Sequence, residues 1–273
     1  MDTQFASLIE RLAKPTPLPM RPAESRQLAT MKTEVVTCGE YRSRVLIEEN
    51  HDPQAKSALL LHGWGGHPMM MSDLQAVLQA QGYKVYTPFL LGHDPHAPAN
   101  CDLPGQCSLL LAMQTKYGPF DTVVAHSAGG IITAMAHWLG FTLNRVALLS
   151  APASLSSLLQ HYLALLKADE HYLPLLGSYY QSRYPMPADL QTTHPYTFRG
   201  ARALILHGTQ DQRINPADAR QIHAQLPDSQ LHIIENTGHL GILSHHRTQQ
   251  ALAGFLGAKN ADHEKGNTHV GAY

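Results

Sequence analysis

The sequence predicts an α/β fold in which helices cover both faces of a mostly parallel central sheet. Short apolar runs typical of buried strands alternate with segments of helical spacing from about residue 34 to residue 257. Hydrophobic residues make up 44% of the 273 positions, which is enough apolar material for a sizeable core. We therefore expect a single domain over residues 1–273.

The N-terminal segment is predicted to form an amphipathic helix that docks on the body of the protein. Its apolar residues recur at helical spacing: Phe5, Leu8, Ile9 and Leu12. Four prolines follow, at positions 15, 17, 19 and 22. Because proline disfavours the interior of a helix, these residues predict an extended connection up to about residue 30.

The rest of the chain predicts strands and helices in alternation. Residues 34–49 are predicted to form two strands joined at Gly39. The other predicted strands are residues 57–63, 83–89, 121–126, 145–151, 203–208 and 230–235. The predicted helices are residues 70–82, part of 104–117, 128–139, 216–226 and 246–257.

Two segments depart from this alternation. Residues 154–200 are rich in Leu and Tyr and have no strand pattern, so they predict a small helical cap inserted between two strands. Such an insertion would lie over the carboxyl ends of the strands, where open α/β sheets bind ligands. The polar tail, residues 261–273, is predicted to be disordered.

Composition excludes several classes of protein. Lys and Arg total 20 against 21 Asp and Glu, so no excess of charge favours binding to nucleic acid or to an anionic membrane. No apolar run reaches the length of a membrane span, and the N-terminus does not resemble a signal peptide. The cysteines, Cys38, Cys101 and Cys107, are too few for a disulfide-stapled protein. These features predict a cytoplasmic protein and leave its oligomeric state open.

Residues 123–130, VVAHSAGG, contain the candidate nucleophile Ser127. A serine nucleophile on a sharp strand-to-helix turn needs small neighbours, usually in the pattern G-x-S-x-G. Here Ala125 replaces the first glycine. The alternative is an ordinary serine that caps the following helix, and this segment alone does not decide between the two.

A base and an acid occur at equivalent places on other strands. Asp211 follows a strand in LHGTQDQRINP, and His239 follows the last strand in ENTGHLG. Because the carboxyl ends of parallel strands meet at one edge of a sheet, we expect both side chains close to Ser127, as a Ser-His-Asp triad. The competing histidines fit less well, because His232 lies within a strand and residues 245–246 begin a helix.

Two backbone N–H groups are predicted to bind the oxyanion of an acyl-transfer intermediate. One belongs to Trp64, after the turn at Gly63, and the other to Ala128, directly after the nucleophile. The neighbouring His62 and His126 are expected to support these loops through hydrogen bonds.

No metal or cofactor is expected. His93, Asp94 and His96 lie close together, but no second cluster completes a tetrahedral set of ligands. The glycines at positions 63, 65 and 66 do not have the spacing of a dinucleotide-binding or phosphate-binding loop.

Together these segments resemble the α/β-hydrolase superfamily over about residues 34–257. The matching segments are HGWGG (62–66), AHSAGG (125–130), LHGTQDQRINP (206–216) and TGHLG (237–241). The stretch YTPFLLGHDPHAP (86–98) is similar to the P-x-x-x-G-H-G turn of small bacterial carboxylesterases and monoacylglycerol lipases, with Asp94 in place of the last glycine. The resemblance implies an α/β-hydrolase fold with a small helical cap and a serine nucleophile.

The expected function is hydrolysis of small to medium carboxylic esters through an acyl-enzyme. A thioesterase or a carbon–carbon bond hydrolase would use the same triad, and a non-catalytic binding protein could share the scaffold. Four residues are predicted to line the substrate pocket: Met69, Met70, Tyr162 and Tyr180. Methionine adapts to varied apolar shapes, and the cap is rich in tyrosine.

Overall fold

The sheet is described by a computed structural model that covers residues 2–183, 195–198, 200–226 and 228–257. Its strands are β1 (Thr33–Cys38), β2 (Tyr41–Glu48), β3 (Ser57–Leu61), β4 (Lys84–Pro88), β5 (Phe120–His126), β6 (Leu143–Leu149), β7 (Arg202–Gly208) and β8 (Gln230–Ile234). They lie side by side in the order β1-β2-β4-β3-β5-β6-β7-β8. Strand β2 is antiparallel to both of its neighbours, and the other pairs are parallel. The predicted, mostly parallel sheet is confirmed.

Helices cover both faces of the sheet. They are α1 (Thr3–Ala13), α2 (Pro22–Leu28), α3 (Ser72–Ala80), α4 (Cys107–Tyr117), α5 (Ala128–Trp138), α6 (Leu155–Leu165), α7 (Tyr172–Arg183), α8 (Pro216–Gln225) and α9 (His246–Gly257). Successive side chains of a strand point to opposite faces. In β3, Leu59 and Leu61 therefore join one core with α4 and α5, whereas Ala58 and Leu60 join a second core with α3 and α9.

The N-terminal segment is partly as predicted. Helix α1 docks through Leu8 and Leu12, which are buried, so the predicted amphipathic helix is confirmed. The extended connection up to residue 30 was wrong, because α2 lies within it. Pro22 is the first residue of α2, where the missing N–H is not needed, and Glu24 accepts the backbone N–H of Arg21 at 2.7 Å.

Two helices, α6 and α7, form the described part of the predicted cap between β6 and β7. Helix α6 is tied to the body by the buried carboxylate of Asp218 in α8. This carboxylate accepts the backbone N–H of Ala153 at 2.9 Å and the hydroxyl of Ser157. Residues 184–194 and 199 of the predicted cap, and the predicted disordered tail, lie outside the described residues. No helix in the described ranges is long and apolar enough to cross a membrane.

Candidate active site

Ser127 lies on a strained turn between β5 and α5. Its φ is 52° and its ψ is −122°, a backbone conformation that residues other than glycine rarely adopt. Neighbouring backbone holds the turn, because the N–H of Ser127 donates to the carbonyl of Leu149 at 2.9 Å. A Cβ on Gly130, in the first turn of α5, would lie 2.8 Å from the Cβ of Ala151. Only glycine fits at this position without displacing a neighbour. The turn therefore holds the serine between the sheet and α5.

The three predicted triad residues are brought together by loops that follow β5, β7 and β8. The Nε2 atom of His239 lies 3.0 Å from the Oγ atom of Ser127. Its Nδ1 atom lies 2.8 Å from Oδ2 of Asp211. Because a carboxylate only accepts hydrogen bonds, Nδ1 carries the proton, and Nε2 is left to accept the serine proton.

Asp211 is buried, and its surroundings stabilise the charged form. Burial alone would raise the pKa of this carboxyl, but hydrogen bonds from His207 and His239 outweigh it and hold the pKa well below its usual range. Its Oδ1 atom accepts the backbone N–H groups of Arg213 at 2.9 Å and Ile214 at 3.0 Å. The carboxylate is therefore fixed and ionised at neutral pH, as the acid of a triad must be.

His207 was missed by the sequence reasoning. Its Nε2 atom lies 3.3 Å from Oδ2 of Asp211 and 3.1 Å from the carbonyl oxygen of Ile214, and its side chain is completely buried. His207 therefore connects the end of β7 to Asp211 and Ile214 in the loop that follows. The available signal was a polar residue at the end of an otherwise apolar strand.

The predicted oxyanion donors belong to the loop after β3 and to the start of α5. A Cβ on Gly63 would lie 2.9 Å from the Cβ of Ser127, so the loop that carries Trp64 contacts the nucleophile directly. Ala128 is the first residue of α5, and its N–H therefore lies outside the hydrogen-bond ladder of the helix. Within the described ranges, the N–H of Trp64 donates no backbone hydrogen bond. Both groups are thus available to a ligand.

Buried histidines support these loops, as predicted for His62 and His126. His62 bonds the carbonyl of Gly63 through Nδ1 at 2.8 Å and accepts the N–H of Leu90 through Nε2 at 3.1 Å. The Nε2 atom of His126 donates to the carbonyl of His239 at 2.8 Å. Burial lowers the pKa of His126 to about 3.

Two residues of the cluster formed by His93, Asp94 and His96 make side-chain hydrogen bonds within the protein. Nε2 of His93 accepts the N–H of Gly65 at 3.0 Å. Both oxygens of Asp94 bind the guanidinium of Arg44, at 2.9 and 3.0 Å. In the part of the chain that the structure describes, no group of three His, Cys, Asp or Glu residues could hold a metal ion.

Acidification from pH 7 to pH 5 is expected to destabilise the folded protein. Burial lowers the pKa of His93 to about 4 and of His126 to about 3, and it holds the pKa of His62 well below 6.5. The unfolded chain protonates these side chains below about pH 6.5 while the folded chain does not, so stability present at pH 7 is lost as the pH falls. His93 and His126 should each contribute about 2 kcal/mol to the loss at pH 5, and His62 adds to it in the same direction.

Urea denaturation at a series of pH values measures this loss. The unfolding free energy should rise with pH near pH 5, with a slope of at least about two protons from His93 and His126. His93→Gln should lower the slope by about one proton, whereas His51→Gln, at an exposed position, serves as the control. Equal stability at pH 5 and pH 7 would contradict the expectation.

The cleft beside His239 is narrow, and a larger cavity adjoins it. Its free volume is about 10 Å³, roughly one water molecule, and its lining includes His239, Trp64 and Met70. The adjoining cavity is about 410 Å³ and is lined in part by Tyr162. Of the predicted pocket residues, Met70 and Tyr162 therefore lie beside these spaces.

The other two predicted pocket residues lie elsewhere. Met69 is 2% exposed and packs in a buried cluster with Leu28 and Phe89. Tyr180 is 1% exposed and belongs to the main core. Lining residues that the sequence reasoning missed are Leu18, Arg213, Leu240 and Leu243.

A larger cavity, of about 540 Å³, lies at the amino ends of two central strands. Its lining includes Lys56 and Tyr83, which precede β3 and β4. Open α/β sheets bind their ligands at the carboxyl ends of the strands, whereas this cavity lies at the amino ends. The triad cleft is therefore the better candidate site despite its smaller volume.

A family model for the alpha/beta hydrolase family matches residues 58–253, which is well over half of the chain. The chain belongs to the alpha/beta hydrolase family. The matched range contains all three triad residues. A search of the curated proteins found no match to this hydrolase.

Solved structures share the fold of this hydrolase at low sequence identity. The esterase Pf2001 of Pyrococcus furiosus has a TM-score of 0.64 at 13% identity, covering 88% of this chain and 96% of its own. Est1E of Butyrivibrio proteoclasticus has a TM-score of 0.58 at 15% identity, covering 82% and 97%. A bromoperoxidase of Bacillus anthracis has a TM-score of 0.60 at 17% identity, covering 82% and 99%. These likenesses establish the fold, and the different names of these proteins show that the fold hosts more than one activity.

Proposed function

We propose that this hydrolase cleaves small to medium carboxylic esters through an acyl-enzyme formed on Ser127. The observation that carries the proposal is the hydrogen-bonded chain from Ser127 through His239 to Asp211, with distances of 3.0 and 2.8 Å. A serine on a strained turn, a base in reach of it and an acid that fixes the tautomer of the base are the parts that acyl transfer needs.

The first half of the reaction forms the acyl-enzyme. His239 accepts the hydroxyl proton at Nε2 while Oγ of Ser127 attacks the ester carbonyl carbon. Asp211 holds the Nδ1–H tautomer and stabilises the imidazolium. The N–H groups of Trp64 and Ala128 bind the oxyanion, and His239 then returns the proton to the departing alcohol.

The second half restores the free serine. Water donates a proton to His239 as it attacks the acyl carbon, and the carboxylic acid leaves when Oγ of Ser127 recovers its proton. These steps use groups of the protein and water alone, so no cofactor takes part in the proposed reaction.

The cavities support small to medium substrates. The cleft at His239 has room for little more than the reacting carbonyl, and the adjoining 410 Å³ falls within the range typical of sites for small molecules. Tyr162 in α6 lines that cavity, which supports a role for the cap in substrate binding.

We also propose that the protein acts in a reducing compartment such as the cytoplasm. Its three thiols, Cys38, Cys101 and Cys107, are free and buried. Unpaired cysteines of this kind are typical of proteins that do not depend on disulfides.

A substrate panel tests the proposed activity. The hydrolase should turn over p-nitrophenyl esters of short and medium acids with saturable kinetics, and faster than acyl thioesters or vinylogous diketones. Faster turnover of a thioester or a diketone would replace the proposed substrate with one of those classes. No turnover of any member by the folded protein would overturn the proposal of catalysis.

A further inference from the structure

The cavity of about 410 Å³ beside the triad cleft is strongly cationic. Its lining comprises Arg11, Lys14, Thr16, Leu18, Trp64, Gly65, Tyr162, Leu166 and Arg213. Three of these side chains are cations, and none is a carboxylate. The whole chain has a formal net charge of −1, so this concentration of positive charge does not follow from a basic composition.

This cavity adjoins the cleft that His239 lines. Leu18, Trp64 and Arg213 line both spaces. Because the cleft at His239 has room for little more than a carbonyl group, we expect the remainder of a bound substrate to lie in the adjoining cationic cavity.

The backbone that presents two of the cations is anchored to the body. The carbonyl of Ala13 accepts the N–H of Cys101 at 2.7 Å, and the N–H of Leu18 donates to the carbonyl of Gly65 at 2.7 Å. Arg11 and Lys14 are therefore presented from a docked segment that contacts the predicted oxyanion loop. The third cation, Arg213, comes from the loop that carries the triad acid.

The three cations have no acidic partner where the structure describes the chain. None of them forms an ion pair, and all three are exposed. Asp211, in the same loop as Arg213, is engaged by His239. Cations gathered in a concave site focus a positive potential that attracts an anion. The apolar walls formed by Leu18 and Leu166 suit an aliphatic chain that carries the anion to this point.

We propose that this cavity binds an anionic group, a carboxylate or a phosphate, on the non-reacting part of the substrate. The preferred substrates are then esters whose acyl chain ends in a negative charge. This inference rests on the proposed ester hydrolysis, and it adds Arg11, Lys14 and Arg213 as residues that determine specificity.

Pairs of esters that differ in charge test the proposal. The kcat/KM for mono-p-nitrophenyl adipate should exceed that for the uncharged p-nitrophenyl heptanoate by about tenfold or more at low salt. The ratio should fall towards one at about 1 M salt, where charges are screened beyond about 3 Å. A p-nitrophenyl 5-phosphonopentanoate distinguishes the two sources of charge, because a phosphate site would favour it over the adipate.

Substitutions assign the preference to this cavity. Arg11→Gln, Lys14→Gln and Arg213→Gln should each lower the adipate-to-heptanoate ratio about two- to fivefold, and the triple variant should bring it near one. Arg26→Gln in α2, which removes a cation outside the lining, is the matched control and should leave the ratio unchanged.

The outcomes separate this inference from the proposed function. Hydrolysis of both esters at similar rates in low salt would overturn the anion site and leave the esterase proposal standing. If neither ester is hydrolysed, the esterase proposal fails, and calorimetry with monomethyl adipate decides the remaining question. Binding that the triple variant loses would support the anion site, and no binding would overturn it.

Discussion

Replacing His239 with alanine is expected to lower kcat for ester hydrolysis by at least about 10³-fold, because no other group of the described residues forms a hydrogen bond with the hydroxyl of Ser127. Its Nε2 atom is 3.0 Å from the serine oxygen. Asp211→Asn should lower kcat by about 10⁴-fold, since an amide would favour the wrong tautomer of the imidazole. Steady-state kinetics with a p-nitrophenyl ester measures both effects.

His232→Ala is the matched control for the base. This histidine lies on β8, only a few residues before His239, and its side chain is exposed. The control should retain the activity of the original protein. A His239→Ala protein with more than a few per cent of that turnover would show that the base has been assigned to the wrong residue.

Gly208→Ala is expected to destabilise the protein by about 3 kcal/mol and to disrupt catalysis. Gly208 ends β7, and a Cβ at this position would lie 2.3 Å from the carbonyl oxygen of Thr237. The backbone at Gly208 and the backbone at Thr237 would have to move apart. The loop of Asp211 begins directly after Gly208, and His239 lies two residues beyond Thr237, so one methyl group displaces the acid and the base together.

Gly254→Ala is the control for this substitution. Gly254 lies within α9, and a Cβ there would meet nothing within 4 Å. Alanine should stabilise that helix by about 0.5–1 kcal/mol. Chemical denaturation measures both variants, and a Gly208→Ala protein of unchanged stability and turnover would contradict the expected clash.

The fold and the proximity of Ser127, His239 and Asp211 could be predicted from the sequence because both follow from local patterns. Apolar runs predicted the strands, and parallel strands necessarily bring their carboxyl ends to one edge. Ser127, Asp211 and His239 each follow such a strand, so their proximity followed once the sheet was assumed. The observed distances agree with that expectation.

The remaining residues that line the site are placed there by contacts between parts of the chain that are far apart in sequence. Nothing local to Leu18 or Arg11 indicates that the proline-rich segment packs on the loop of Gly65. Met69 and Met70 were both predicted to line the pocket because methionine adapts to varied apolar shapes, but neighbouring residues point in different directions. Met69 packs in a buried cluster, whereas Met70 lines the cleft. Tertiary packing, which the periodicity of a segment does not encode, decides these placements.

Active-site labelling tests the central claim, that the surroundings of Ser127 make it a nucleophile. A fluorophosphonate probe resembles the tetrahedral intermediate, so it should add once per chain, and peptide mapping should place it on Ser127. Ser127→Ala should abolish the label without loss of the fold, and Asp211→Asn should slow labelling without stopping it. A folded protein that is labelled on another serine, or that reacts neither with this probe nor with a smaller sulfonyl fluoride, would contradict the claim and favour a non-catalytic binding protein on the hydrolase fold.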